Sequence, residues 1–248
     1  STVLFQKRND YWCIPTTVED ILDLCAVLNT NVVIPGYGGR QSIELTSQLT
    51  KAGINLIGNG WISSGKNRKS YVEIASKFGI EIPRSAIASS YSQVLEKAAE
   101  MGYPIIIRSK SAQKASPIEI VYDEMDLTNY LGQLTEISDI KPAILDVFLE
   151  DAVKVHVDVI SDGTEALVCG VMEHIEQAAI NSGDSACSAP PFSLSEEVIS
   201  KISECAKAIG SANKLTGLYN VQFAISGQQI YILEAMSGPS VTIPMLCK

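Results

Sequence analysis

Apolar residues recur with a helical period in several segments of the chain. From Thr17 to Leu28 they fall at three- and four-residue spacings, and Thr17 stands where a helix is capped. The same pattern predicts further helices over residues 41–52, 67–78, 90–101, 126–134 and 195–209. Strand-like runs separate these segments, so the pattern predicts a protein of mixed α/β and α+β class.

Short β-branched runs predict the strands. The runs over 31–34 and 54–57 flank the second helix, which predicts a parallel pair with a right-handed crossover. Later runs predict strands over 103–108, 118–122, 143–149, 153–160, 166–172, 218–225 and 230–235. The tetrapeptide 226–229, Ser-Gly-Gln-Gln, separates the last two strands and indicates a hairpin turn.

The final hairpin carries two oxygen-bearing side chains at matched positions. A turn centred on Gln228 places Gln222 opposite Glu234 on one face of the ladder, and Met236 shares that face. A carboxylate and an amide oxygen are ligands that Mg²⁺ accepts, whereas the thioether of Met236 is too soft for it. The alternative is that Gln222 and Glu234 simply face solvent on an exposed sheet.

Composition narrows the classes of function. The formal net charge is −9, which argues against nonspecific nucleic-acid binding. Apolar runs stay well short of the ~20 residues that a membrane helix needs, so we expect no membrane partner. The six cysteines form no Cys-x-x-Cys pair, which makes a zinc site unexpected and favours buried thiols in a reducing compartment. A cytoplasmic or mitochondrial location fits, and the sequence does not distinguish the two.

Polar residues are dense from Met172 to Ser188. This run includes His174, Asn181 and Ser182 and directly follows a strand-like segment. His174 is either a ligand contact or a histidine buried and hydrogen-bonded in the sheet. His156 alternates with Lys154 and Asp158 along another strand, which predicts an exposed position for it.

The run from Met172 to Ser188 resembles the ATP-grasp signature of the carbamoyl phosphate synthetase large subunit, in its second, carbamate-phosphorylating half. Further stretches resemble other motifs of that family: 33–40, 66–68, 102–108, 119–122, 148–152, 220–224 and 233–234. The resemblance implies an ATP-grasp fold preceded by the end of a pre-ATP-grasp, Rossmann-like domain. It divides the chain into a partial pre-ATP-grasp unit (1–60), a small lobe with a linker helix (61–142) and a large lobe (143–248).

The resemblance also implies a set of site residues. It implies ATP as ligand and Mg²⁺ or Mn²⁺ as metal, with Gln222 and Glu234 as metal ligands, and it assigns no catalytic residue. The implied nucleotide contacts come from both lobes: Arg68, Arg108, Glu119, Phe148, Leu149, His174 and Ser182. Expected partners are the remaining domains of a synthetase large chain and a glutaminase subunit.

Several positions depart from the family pattern where the nucleotide and metal would bind. Lys114 replaces a glycine of the phosphate loop, and Lys154 replaces the acidic residue that binds ribose. Met236 and Gly238 replace a metal ligand and a phosphate-binding arginine, and Asn181 replaces a histidine. These changes weaken the expectation of bound ATP and Mg²⁺. They leave two main hypotheses: a carbamate-phosphorylating module with impaired activity, or a non-catalytic module with a structural or regulatory role. Nucleotide binding without turnover lies between the two.

Overall fold

Three of the described helices begin at a capping side chain. The computed structural model describes residues 16–38, 42, 44–58, 65–109, 119–133, 142–177, 186–238 and 240. The helices bounded within these ranges are α1 (Val18–Val27), α2 (Thr46–Lys51), α3 (Gly65–Lys77), α4 (Tyr91–Met101), α5 (Glu124–Gln133) and α6 (Glu196–Ala212), with a 3₁₀ turn over Pro35–Gly38. The side chains of Thr17, Ser90 and Ser195 accept hydrogen bonds from backbone amides in the first turns of α1, α4 and α6.

The strands form three sheets. Their bounds are β1 (Val32–Val33), β2 (Asn55–Leu56), β3 (Ser85–Ala88), β4 (Ile105–Ser109), β5 (Glu119–Val121), β6 (Ala143–Val147), β7 (Val153–Asp162), β8 (Ala166–Gln177), β9 (Cys187–Ser188), β10 (Thr216–Ser226) and β11 (Gln229–Ser237). The large sheet has the order β11-β10-β7-β8-β9 and the small sheet β3-β6-β4-β5, each with antiparallel neighbours. Strands β1 and β2 pair in parallel, which confirms the predicted crossover.

One face of the large sheet is buried under α3 and α6. Val155 and Val157 of β7 pack there with Phe223 of β10 and with Ile74 and Ile209 from the two helices. The small sheet has its own core against α4 and α5, and a third cluster surrounds Leu49. The predicted domain boundaries stay predictions, although α3, the first helix of the predicted small lobe, contributes to the core of the large sheet.

The structure extends and adds elements that periodicity did not predict. Strand β8 continues five residues beyond the predicted end at Met172, and β3 and β9 were not predicted. Both added strands are short and are defined by pairing: β3 with β6, and β9 with β8. A run of two to four residues carries too little periodicity to be recognised without its partner strand.

The structure also bears on the expected burial of the cysteines and on membrane-spanning helices. Among the described cysteines, Cys25 and Cys205 are buried, whereas Cys187 is half-buried and Cys169 is exposed, so burial holds for two of the four. None of the helices in the described ranges combines the length and apolar character that crossing a bilayer demands.

Candidate functional site

The second face of the large sheet is lined by polar side chains. We call it the polar face. Its members come from neighbouring strands β7, β8, β10 and β11: Lys154, His156, Asp158, His174, Asn220, Gln222 and Glu234. Side chains alternate along a strand, so these residues lie opposite the core valines of β7 and the core aromatics of β10.

His156 is buried, and the prediction of an exposed position was wrong. It retains 7% of its accessible surface, Lys154 retains 5% and Asp158 retains 1%. Alternating polar residues on a strand are usually solvent-facing, but here β8 and β10 flank β7 on both sides, and Ser240 after β11 also contacts Asp158. The sequence pattern identified the shared face correctly and its solvent exposure incorrectly.

The hairpin pairing of Gln222 with Glu234 is confirmed. The two residues are direct partners in the antiparallel ladder, and both are half-buried. Met236 pairs with Asn220 two residues further along the ladder and is 37% exposed. The predicted turn centre was wrong, because Ser226 pairs with Gln229 and leaves Gly227 and Gln228 as a two-residue turn.

His156 and His174 form a buried pair of imidazoles. Their ring centroids are 4.3 Å apart and the rings are tilted by 49°. Both nitrogens of His156 and Nε2 of His174 are buried without a hydrogen-bond partner in the described structure. Of the two hypotheses for His174, a ligand contact or a histidine buried and hydrogen-bonded in the sheet, the structure confirms the burial. Its Nε2 atom, however, has no hydrogen-bond partner in the described structure.

Burial determines the charge state of this pair. It lowers the pKa of His156 to about 3, and the neighbouring His174 and Lys154 add to that effect. It also lowers the pKa of His174, with Lys154 as the next cause. Both imidazoles are therefore neutral at physiological pH.

Lys154 and Glu234 are electrostatically coupled on the polar face. Burial lowers the pKa of Lys154, and attraction to the Glu234 carboxylate opposes that shift. The coupling brings a positive charge to the carboxylate that was predicted to hold a metal ion. In its protonated form Lys154 attracts the Glu234 carboxylate and repels a divalent cation.

Asp158 is held by hydrogen bonds at the other end of the polar face. Its carboxylate accepts one bond from Nδ2 of Asn220 at 2.9 Å and another from Oγ of Ser240 at 2.8 Å. Asp158 and Asn220 are each 1% exposed. This network ties β7, β10 and the segment after β11 together, and the sequence analysis did not predict it.

The remaining predicted contacts are described in part. Arg68 lies in α3 and Arg108 in β4, but their side chains lie outside the described structure, as do Lys114, Asn181 and Ser182 altogether. Glu119 is exposed on β5. Phe148 is buried, and Leu149 beside it is half-buried. The Phe148 ring packs edge-on against the ring of Tyr122, with centroids 6.4 Å apart. Tyr122 follows Glu119 by three residues.

Two glutamates from the polar run have structural partners. The carboxylate of Glu173 is 2% exposed and accepts from the backbone amides of Phe192 and Ser193 at 2.9 and 3.0 Å. Oε1 of Glu176 accepts from the amide of Ala186 at 2.8 Å. Part of the run's polar density therefore fastens the loop before α6, which its composition alone did not indicate.

Comparison with known proteins decides the family. Residues 67–242 match the family model described as "Carbamoyl-phosphate synthase L chain, ATP binding domain". The chain belongs to this family. The predicted family is therefore confirmed, and the chain is an ATP-grasp domain of the carbamoyl phosphate synthase large-chain family.

Curated relatives of this ATP-grasp domain are much longer proteins. The chain is 36% identical over 236 residues to the carbamoyl phosphate synthase large chain of Neisseria meningitidis, covering 94% of this chain. The large chain of Vibrio cholerae is likewise 36% identical over 236 residues. The chain spans 22% of the length of each of these relatives.

Solved structures share the fold at low sequence identity. The biotin carboxylase domain of Hydrogenobacter thermophilus 2-oxoglutarate carboxylase, solved with MgADP and bicarbonate, superposes with a TM-score of 0.72 at 18% identity. The match covers 92% of this chain and 52% of that one. Campylobacter jejuni biotin carboxylase, in a βγ-ATP complex, gives a TM-score of 0.70 at 17% identity, covering 93% of this chain and 54% of that one. These matches confirm the predicted fold class.

The polar face of this ATP-grasp domain carries two oxygen ligands of the kind that a hard cation accepts, the Glu234 carboxylate and the Gln222 amide. The third position is the thioether of Met236, and Lys154 is electrostatically coupled to Glu234. Within the described residues no group of three or more His, Cys, Asp or Glu side chains converges on a metal position.

Proposed function

We propose that this chain is an ATP-grasp module of a carbamoyl phosphate synthase large chain in which magnesium-dependent phosphorylation of carbamate is impaired. Its role is then structural or regulatory, within a larger synthetase that supplies the other domains and a glutaminase subunit. The family and the fold support the ancestral reaction, and the polar face supports its impairment.

The observation that carries this proposal is the coupling of buried Lys154 to Glu234. A phosphoryl-transfer site of this type uses carboxylate and amide oxygens to hold metal ions against the nucleotide phosphates. Here buried Lys154 lies within electrostatic range of Glu234, and its positive charge competes with a metal ion for that carboxylate. Since Lys154 is 5% exposed, water does little to screen its repulsion of a second cation.

The second supporting feature is the backbone at Gly238. This residue has φ of +99°, and an added Cβ would contact the backbone of Gly36 at 3.6 Å. A side chain is disfavoured at that φ whatever space surrounds it. Reintroducing a phosphate-binding arginine at position 238 therefore requires a change of backbone conformation as well as a change of side chain.

Thermal unfolding with and without nucleotide tests the proposal. For a functional metal site, MgATP at 100 times its Kd adds about 2.7 kcal/mol to the free energy of unfolding. We expect the melting temperature with ATP to be the same in Mg²⁺ and in EDTA. Release of ADP that depends on both Mg²⁺ and carbamate would overturn the proposal.

Substitutions at Lys154 sharpen this test. Lys154→Glu in a Met236→Asn background removes the competing charge and supplies an additional carboxylate and an amide oxygen, so we expect Mg²⁺ to raise its melting temperature. Lys154→Met in the same background is the matched control, because it removes the ammonium without adding a carboxylate. A response to Mg²⁺ that is equal in all variants and in the original chain would show that Lys154 does not control the metal.

A further inference from the structure

The β1–β2 unit comprises the described residues between 16 and 58. We propose that the seam between this unit and the large sheet is a binding site for a small, neutral, mainly apolar molecule. A cavity of about 150 Å³ lies there. An enclosed apolar cavity of about this volume binds benzene or xenon, and here the space is in addition open to solvent. The proposal concerns a site beside the polar face and does not depend on nucleotide binding.

Glycines create the space. Gly36 and Gly58 line the cavity from the β1–β2 unit, and Gly217 and Gly238 line it from the large sheet. A Cβ on Gly217 would lie 2.8 Å from the Cα of Gly58, so the two backbones already touch beside the cavity. The cavity is therefore the remaining gap between two closely packed backbone surfaces, and a ligand there contacts both units.

The walls determine the class of ligand. Besides the glycines, the lining consists of four aliphatic side chains and one tyrosine: Ile34, Ile57, Ile160, Leu218 and Tyr37. None of these lining residues carries a charge. A carboxylate or phosphate would lose its hydration without gaining a cation from these walls. The lining therefore selects against anions.

The apolar walls are accessible from solvent. Ile34, Ile57 and Ile160 are 51%, 45% and 44% exposed, and Tyr37 is 67% exposed. A ligand can therefore enter without unfolding either unit, and binding removes these side chains from water. Because the ligand bridges the β1–β2 unit and the large sheet, binding also stabilises their contact.

A pair of matched probes tests the proposal on the whole chain. Toluene is neutral and apolar, whereas benzoate has the same ring with a carboxylate. Methyl NMR spectra of Ile160 and Leu218 are recorded during titration with each. We expect saturable shifts with toluene, with a Kd of the order of 1 mM because so small a ligand makes few contacts. Benzoate is expected to bind at least tenfold more weakly, and equal or tighter binding of benzoate would overturn the proposal.

Variants that fill the cavity localise the binding. Ile160→Phe and Ile57→Phe fill it from opposite walls, and we expect each to weaken toluene binding at least tenfold. Leu167→Phe is the matched control, because Leu167 pairs with Ile160 across the ladder, is 68% exposed and does not line the cavity. Toluene binding that survives both filling variants, or that is lost in the control alone, would contradict this location.

Nucleotide titrations separate this proposal from the proposed function. The filling variants leave the polar face unchanged, so their response to ATP should equal that of the original chain. Toluene binding with no magnesium response supports both proposals. Absence of toluene binding overturns the ligand site alone, and a carbamate-dependent turnover overturns the impaired function alone.

Discussion

Gln222 lies directly opposite Glu234 because a bulge at Leu233 shifts the register of the final hairpin by one residue. Nearer the turn, Phe223 pairs with Ile232, and the next pair is Gln222 with Glu234. The extra residue moves Glu234 away from the core face that holds Ile230 and Ile232. If Leu233 were paired in a regular ladder instead of bulged, strand alternation would point Glu234 into the core.

Deleting Leu233 should therefore cost little more stability than truncating it. Without the bulged residue Glu234 follows Ile232 directly, so strand alternation still points it away from the core and opposite Gln222. Leu233→Ala is the comparison, because it retains the bulge and should cost about 1–2 kcal/mol for a half-buried side chain. Urea unfolding measures both free energies. A much larger loss in the deletion variant would show that the bulge itself is needed for this pairing.

The buried histidine pair predicts a loss of stability in acid. His156 has its pKa lowered to about 3 in the folded chain, whereas the unfolded chain titrates near 6.5. The unfolded state therefore binds more protons between these values, and the free energy of unfolding falls as pH decreases through this window. From pH 7 to pH 5 the contribution of His156 is about 2 kcal/mol.

Urea unfolding at several pH values checks this expectation. His156→Gln is neutral throughout the window, so its free energy of unfolding should fall less steeply with acid than that of the original chain. The lowered pKa of His174 leaves a smaller dependence in the variant. Identical slopes for the two proteins would mean that His156 titrates normally in the folded state.

We expect the substitution of glycine by alanine to have opposite effects on stability at Gly210 and at Gly132. An added Cβ at Gly210 would lie 2.0 Å from the hydroxyl of Tyr219, which donates to the carbonyl of Ala206 at 3.0 Å. Gly210→Ala should therefore destabilise the chain by about 2–4 kcal/mol through overpacking. Gly132→Ala in α5 meets nothing within 4 Å and should stabilise it by about 0.5–1 kcal/mol. Thermal unfolding of both variants gives the comparison, and a neutral Gly210→Ala would show that Tyr219 moves freely.

We expect the substitution Gly217→Ala to weaken the contact between the β1–β2 unit and the large sheet. It has φ of +89°, and its added Cβ would lie 2.8 Å from the backbone of Gly58. Gly227 has φ of +59° with nothing within 4 Å, so Gly227→Ala carries the backbone strain without the clash. We expect Gly217→Ala to increase amide hydrogen exchange in β1 and β2 well beyond Gly227→Ala. Equal exchange in the two variants would contradict a tight contact at this point.

Local sequence signals predicted most elements because their physical causes are local. The caps at Thr17 and Ser195 and the apolar stripes of α1, α4 and α6 depend on neighbouring residues only. Strand β3 depends on β6, and the length of β8 depends on β7 and β9, so neither was predicted correctly from its own residues.

The sequence by itself determined the family, the alternation of helices and strands, and which side chains share a strand face. The hairpin turn signal identified Gln222 and Glu234, and the family resemblance identified Lys154, because both signals are read from the sequence itself. Only the tertiary structure decided that His156 is buried against His174, that Lys154 is coupled to Glu234, and that glycines leave an apolar cavity at the seam. Burial, charge coupling and cavities arise between segments distant in the chain, and no local pattern specifies how closely such segments approach.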